Sequence, residues 1–187
     1  MIELPQSLEV NGTEYQIRSD FRDVLNIVIA FGDPDLEDNE KIYICLFVLY
    51  VDFDRMPERD YEAAFNAATT FIDCGLNEEG SNGRPPARVM DWEQDAGIMF
   101  PAINHVAGFE VRSAEYIHWW TFMGYYMEIS EGIFSHILGL RVKKAKGKPL
   151  EKWEREYWRE NKALCVLNAK LSEEEKAERD RINALLG

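Results

Sequence analysis

The chain has 187 residues, 46% hydrophobic and 12% aromatic, which is enough apolar material for one packed domain. Its 34 acidic residues outnumber 21 basic ones, giving a net charge of −13 at pH 7. A surface of that sign repels phosphate backbones and anionic lipid, so no nucleic acid and no membrane is expected as a partner.

Three cysteines, Cys45, Cys74 and Cys165, are odd in number and lack CxxC spacing, which points to free, buried thiols in a reducing compartment. The opening Met-Ile-Glu-Leu-Pro shows no basic region followed by an apolar block, so no signal peptide is expected. The longest apolar run, residues 42–51, is about half of a bilayer span.

Taken in order, Leu8, Val10, Tyr15 and Ile17 alternate with polar residues around Asn11-Gly12, the dipeptide suited to a type I′ turn. A hairpin over residues 1–18 is predicted, packed on the helical body or paired with another chain's sheet edge. Helices are predicted over residues 19–75. The first is capped by Ser19, has Phe21, Leu25, Val28 and Ile29 on one face, and ends at Gly32 and Pro34.

Residues 33–39 form an acidic linker that fails as a calcium loop, because Asp38 and Ile44 stand where Gly and a bidentate Glu are needed. Residues 41–51 suit a buried helix carrying Tyr43, Ile44, Phe47, Val48 and Val51, although their β-branched and aromatic content keeps a strand open. Pro57 opens a further helix bearing Tyr61, Ala64, Phe65, Ala68, Phe71 and Ile72, closed by Cys74-Gly75.

A loop is expected over residues 76–90, its breaker-rich part at residues 77–86. Central helices are expected over residues 91–140. The first opens at Asp91 with acids in its first turn and is kinked or divided by Pro101. The second, over residues 113–127, carries two apolar stripes and is the helix around which the others are expected to pack: Trp119, Phe122, Met123 and Tyr126, then Tyr116, Trp120, Met123 and Met127.

Residues 132–140 form a short amphipathic piece, followed by Arg141, Lys143, Lys144, Lys146 and Lys148 as an exposed basic connector. C-terminal helices are expected over residues 149–187, with Leu150, Trp153, Tyr157 and Leu164 on one side and a capping box from Ser172 to Glu175. The expected fold is therefore mainly α: one helical domain of seven or eight helices around a central aromatic helix, with an N-terminal β-hairpin.

Chemistry is thinly signposted. His105, His118 and His136 lack metal-ligand spacing, and no P-loop, Gly-x-Ser-x-Gly or Gly-x-Gly-x-x-Gly occurs. His118 reads as a core histidine bonded to backbone or carboxylate. Asp91 and Asp95 share a helix face and read as a solvated N-terminus, or as acid/base partners of His118 in a pocket. No catalytic residue, cofactor or metal is assigned.

Several short patterns, in order, resemble the bacteriophage gene product fifteen family: Leu4-Pro5, Val10-Asn11-Gly12 and Tyr15; Asp20-Phe21-Arg22; Phe71 with Cys74-Gly75; Asp95-Ala96, Ile98 and Phe100; His118-Trp119-Trp120 with Phe122; and Gly139-Leu140-Arg141. Pro101 and the loop at residues 77–86 depart from that pattern. The resemblance implies a non-enzymatic, tail assembly chaperone-like protein of the bacterial host cytoplasm, binding the phage tape measure protein or other tail proteins and forming a homo-oligomer. The alternatives are a small phage enzyme or ligand-binding protein using Asp91, Asp95 and His118, and a structural virion component.

Overall fold

Asn11 and Gly12 take positive φ values of 48° and 80°, and the chain reverses between β1 (Ser7–Val10) and β2 (Thr13–Gln16) with Leu8 opposite Tyr15. Such a turn matches the right-handed twist of the strands it joins. The structure, a computed structural model, describes residues 3–76 and 87–186, so the loop expected at residues 77–86 lies outside the described residues. Among the described residues nine α-helices accompany this hairpin, and the protein is mainly helical, as the sequence pattern predicts.

The chain groups into two compact units. The first comprises residues 1–77, 118–120 and 169–187; the second comprises residues 78–117 and 121–168.

In the first unit the hairpin is held within the chain. Val10 and Ile17 are buried, Ile17 pairs with Tyr50, and the Arg18 and Val51 amides donate to the Leu49 and Gln16 carbonyls. Helix α1 (Phe21–Phe31) is capped by Asp20 rather than Ser19 and buries Phe21, Val24 and Ile27, not the face through Leu25, Val28 and Ile29. Both faces are apolar, so periodicity alone does not choose between them. Ser19 instead donates to the Gln6 side chain.

Residues 41–49 do form a helix, within α2 (Asp38–Leu49), which starts with a reciprocal Glu37–Glu40 capping box and ends before Tyr50 and Val51. Its buried side is Cys45, Leu46 and Leu49, while Tyr43, Phe47 and Val51 are about half exposed, against expectation. Arg18 donates to the Phe47, Val48 and Tyr50 carbonyls, satisfying orphan acceptors at the end of α2 and complementing the helix dipole. A 3₁₀ turn follows Pro57 and leads into α3 (Tyr61–Ile72), which buries Ala64, Ala68, Phe71 and Ile72.

In the second unit α4 (Ala96–Ala107) carries Pro101 inside one continuous helix, and Gly108 ends it at φ 81°. The lost Pro101 donor faces Gly97 four residues back, where no side chain adds to the crowding. Helix α5 is shorter than predicted (Trp119–Met127): residues 114–117 are not helical, and Tyr116 and Met127 are exposed. Its first two residues group with the first unit and the rest with the second.

Helix α6 (Gly132–Ala145) runs past residue 140 and absorbs the start of the basic cluster. The first of the C-terminal helices expected from residue 149 is divided into α7 (Lys152–Glu160) and α8 (Lys162–Cys165), and Trp153 and Leu164, expected on one side with Leu150 and Tyr157, are exposed. Ile137, Leu140 and Cys165 form a core cluster covered by Ile98, Leu150, Tyr157 and Trp158.

The last helix, α9 (Glu173–Leu186), returns to the first unit. Its Ser172–Glu175 capping box forms as predicted, and the Glu173 amide donates to Asp35. No helix among the described residues is long and apolar enough to cross a membrane.

Candidate functional site

Asp91, Asp95 and His118, the residues of the alternative acid/base reading, are saturated by structural bonds. Asp95 is 2% exposed and meets Arg141, 5% exposed, through two bonds of 2.7 and 2.9 Å. Arg141 uses its remaining donors on the carbonyls of Val89 (3.1 Å), Leu164 (2.6 Å) and Cys165 (3.0 Å), so all five guanidinium N–H groups are occupied.

Asp95 also accepts from the Asp91 amide at 2.9 Å. Asp91 in turn accepts the Glu93 and Gln94 amides on one oxygen and Arg88 on the other. Asp91 and Asp95 thus do come together, but in a buried turn that leads into α4, which starts at Ala96 rather than at Asp91 as expected, and not as a solvated helix N-terminus. Arg141, expected in an exposed connector, is the centre of this network. Its position one helical turn beyond Ile137 and two beyond Phe134, on the buried face of α6, was the signal available in the sequence.

His118 groups with the first unit. It is 2% exposed, and its Nδ1 accepts the Trp120 amide at 3.0 Å, which caps α5. That bond requires the proton on Nε2, which donates to the Pro5 carbonyl at 2.9 Å. The Trp119 and Trp120 indoles donate to the Ile72 and Phe71 carbonyls at 2.7 and 2.8 Å, and the Trp119 amide donates to Ser19. His-Trp-Trp therefore fastens the N-terminal arm and the starts of α1 and α5 to the end of α3. His105 is exposed, 3.8 Å from Glu131, and His136 stacks on Trp153 and meets Tyr157 edge-on. Among the described residues no group of three His, Cys, Asp or Glu is placed to hold a metal ion.

The thiols give a direct check on burial. Cys45 and Cys165 are essentially inaccessible; Cys74 is partly buried, and burial with Asp73 nearby pushes its thiol up to about 11. A disulfide reagent at pH 8 is expected to modify Cys74 slowly and the other two only after denaturation. Rapid native labelling of two or more thiols would contradict this core.

Three surface features offer sites for other molecules. A groove of about 770 Å³ lies along α4 and the start of α6, lined by Pro101, Ala102, Val106, Ile129 and Ile133, with His105, Glu128 and Glu131 on its rim. Ile133 is 58% exposed there. On α2, Tyr43 and Phe47 stack with ring centres 6.0 Å apart, and Phe53 meets both edge-on. The third is a notch of about 560 Å³ by the α6–α7 turn, lined by Lys144, Lys148, Pro149, Leu150, Arg155 and Trp158. None of the three features is lined by Asp91, Asp95 or His118.

No curated protein and no solved structure matches the chain. A family model, described as bacteriophage Gp15 protein, matches residues 1–167, stopping just before α9. Some of the residues that suggested this family lie in the two bonded networks, Pro5, Asp20, Phe71 and His118-Trp119-Trp120 in one, and Asp95 and Arg141 in the other. With nine-tenths of its length matched, the chain belongs to the bacteriophage Gp15 protein family.

Proposed function

We propose that this protein is a non-enzymatic tail assembly factor that binds the tape measure protein in the host cytoplasm and keeps its helical segments soluble until the tail forms. Membership of a phage family supports the setting, and the groove along α4 and α6 carries the binding role. Its volume lies within the range of roughly 300–1,000 Å³ typical of sites that take a ligand. Its apolar floor suits the apolar stripe of an amphipathic helix, the usual helix-in-groove arrangement. Glu128 and Glu131 on the rim, in a chain of net charge −13, select a client helix flanked by basic residues.

Co-expression with tape measure fragments tests both the role and the site. Wild-type protein is expected to co-purify with a fragment at fixed stoichiometry. Ile133→Glu is expected to lose the fragment while changing stability by no more than about 0.5 kcal/mol, because the side chain is already exposed. Absence of any wild-type complex removes the client; an unaffected Ile133→Glu complex removes the groove.

One ion pair near this unit's C-terminal side also sets an acid limit. Lys143 donates to Glu154 at 2.6 Å and holds its carboxyl below the usual range, so the stabilisation is present above pH 4.5 and lost as pH falls through the lowered value. Glu154→Gln is expected to lower the melting temperature at pH 7, with the difference from wild type shrinking as pH falls below 4.5. A difference that does not shrink with acidification would show that the pair does not titrate as described.

A further inference from the structure

We infer that the basic notch between α6 and α7 docks the acidic segment at residues 33–40 of a second copy, so that copies associate head to tail. The notch is opposite in sign to the rest of the protein. Three cations, Lys144, Lys148 and Arg155, line it, and no carboxylate lines it among the described residues. Lys143 next door is neutralised by Glu154, but the three lining cations make no ion pair among the described residues: Lys144 lies 4.1 Å over the Trp158 ring and Arg155 donates to the Leu150 carbonyl. Leu150, Pro149 and Trp158 give the notch an apolar floor beneath this charge.

Residues 33–40 present the complement. Asp33, Asp35, Glu37, Asp38 and Glu40 fall within eight residues that contain no base, with Leu36 in the middle. Lys176 is close enough to feel Asp35 and Asp33, yet Glu37, Asp38 and Glu40 remain exposed. Beside them Leu36, Tyr43 and Ile44 line a recess of about 410 Å³, and Tyr43 is 55% exposed. Each surface thus pairs several charges of one sign with apolar side chains, the combination that gives register as well as attraction.

The two surfaces are different, so the contact is heterologous and repeats from copy to copy as a ring or an open chain. It does not involve the groove proposed for the client and stands or falls independently of that role.

Sedimentation of the purified protein over a range of concentrations tests it. Wild type is expected to exceed the monomer mass at low salt and to approach it at 1 M salt, where the screening length falls to about 3 Å. Lys144→Glu/Lys148→Glu and Asp38→Lys/Glu40→Lys are each expected to stay monomeric, with circular dichroism confirming the fold. Mixed together they are expected to pair as heterodimers, because the unaltered notch of the acidic-face variant still meets the unaltered acidic segment of the basic-face variant. A monomeric wild type at every concentration, or oligomers that survive the Lys144→Glu/Lys148→Glu reversal, would overturn the inference. Should the acidic-face variant not fold, the basic-face variant and the salt series still decide it.

Discussion

Replacing Arg141 by Met is expected to destabilise the second unit by about 3–5 kcal/mol, the range for removing one partner of a buried ion pair. Asp95 would be left charged and almost wholly inaccessible, and the carbonyls of Val89, Leu164 and Cys165 would lose their donor at the same time. Those three carbonyls belong to the approach to α4 and the end of α8, so the loss spreads beyond the pair itself. Arg141→Lys is expected to fall between, since an ammonium has three donors on one nitrogen and cannot reproduce a fork that reaches five acceptor positions.

A double replacement, Arg141→Met with Asp95→Leu, removes the stranded charge but leaves the Asp91 amide unpaired, so it recovers only part of the loss. Denaturant unfolding, with hydrogen exchange read on α4 and α6, is the measurement. An Arg141→Met protein within 1 kcal/mol of wild type would show that the network is not structural in this way.

Trp119→Ala is expected to cost about 3–5 kcal/mol in the first unit, through the cavity left by a side chain that is 1% exposed. It also takes the indole donor from the Ile72 carbonyl at the end of α3, leaving it only the long, weak Cys74 thiol contact at 3.9 Å. Trp119→Phe separates the two effects. It keeps most of the ring volume and removes the indole N–H, with an expected cost of about 1–3 kcal/mol for an acceptor left with that weak partner alone. Exchange of the last α3 amides is expected to accelerate in both variants. If Trp119→Phe were as stable as wild type with α3 unchanged, the indole bond would not be what closes that helix.

These two networks show where sequence patterns stop being readable. The hairpin's turn, register and apolar side were legible, because Asn11-Gly12 and the two-residue alternation specify them together, but that this side packs within the chain was not. The Ser172–Glu175 cap was legible for the same reason: it depends on neighbours within a few residues. The faces of α1 and α2 were not, since apolar residues surround both and only the packing partners select which side is covered. Tyr43 and Phe47, read as core, are surface for that reason. Among the candidate surfaces, the groove beside Ile133 had no local signal at all, because it is made by residues from α4 and α6 lying side by side.

The helical class, the hairpin and the acidic surface were set by the amino-acid sequence, because they rest on composition or short-range spacing, and the family was legible as a resemblance spread along the chain. Only three-dimensional packing decided that Arg141 meets Asp95 and three distant carbonyls, that His118 caps a helix with its ring proton on Nε2, and that the basic residues around Lys144 and Lys148 form a notch of one sign. A charged or polar side chain is buried only when distant parts of the chain supply every partner it needs, and that supply is a property of three-dimensional packing rather than of local order.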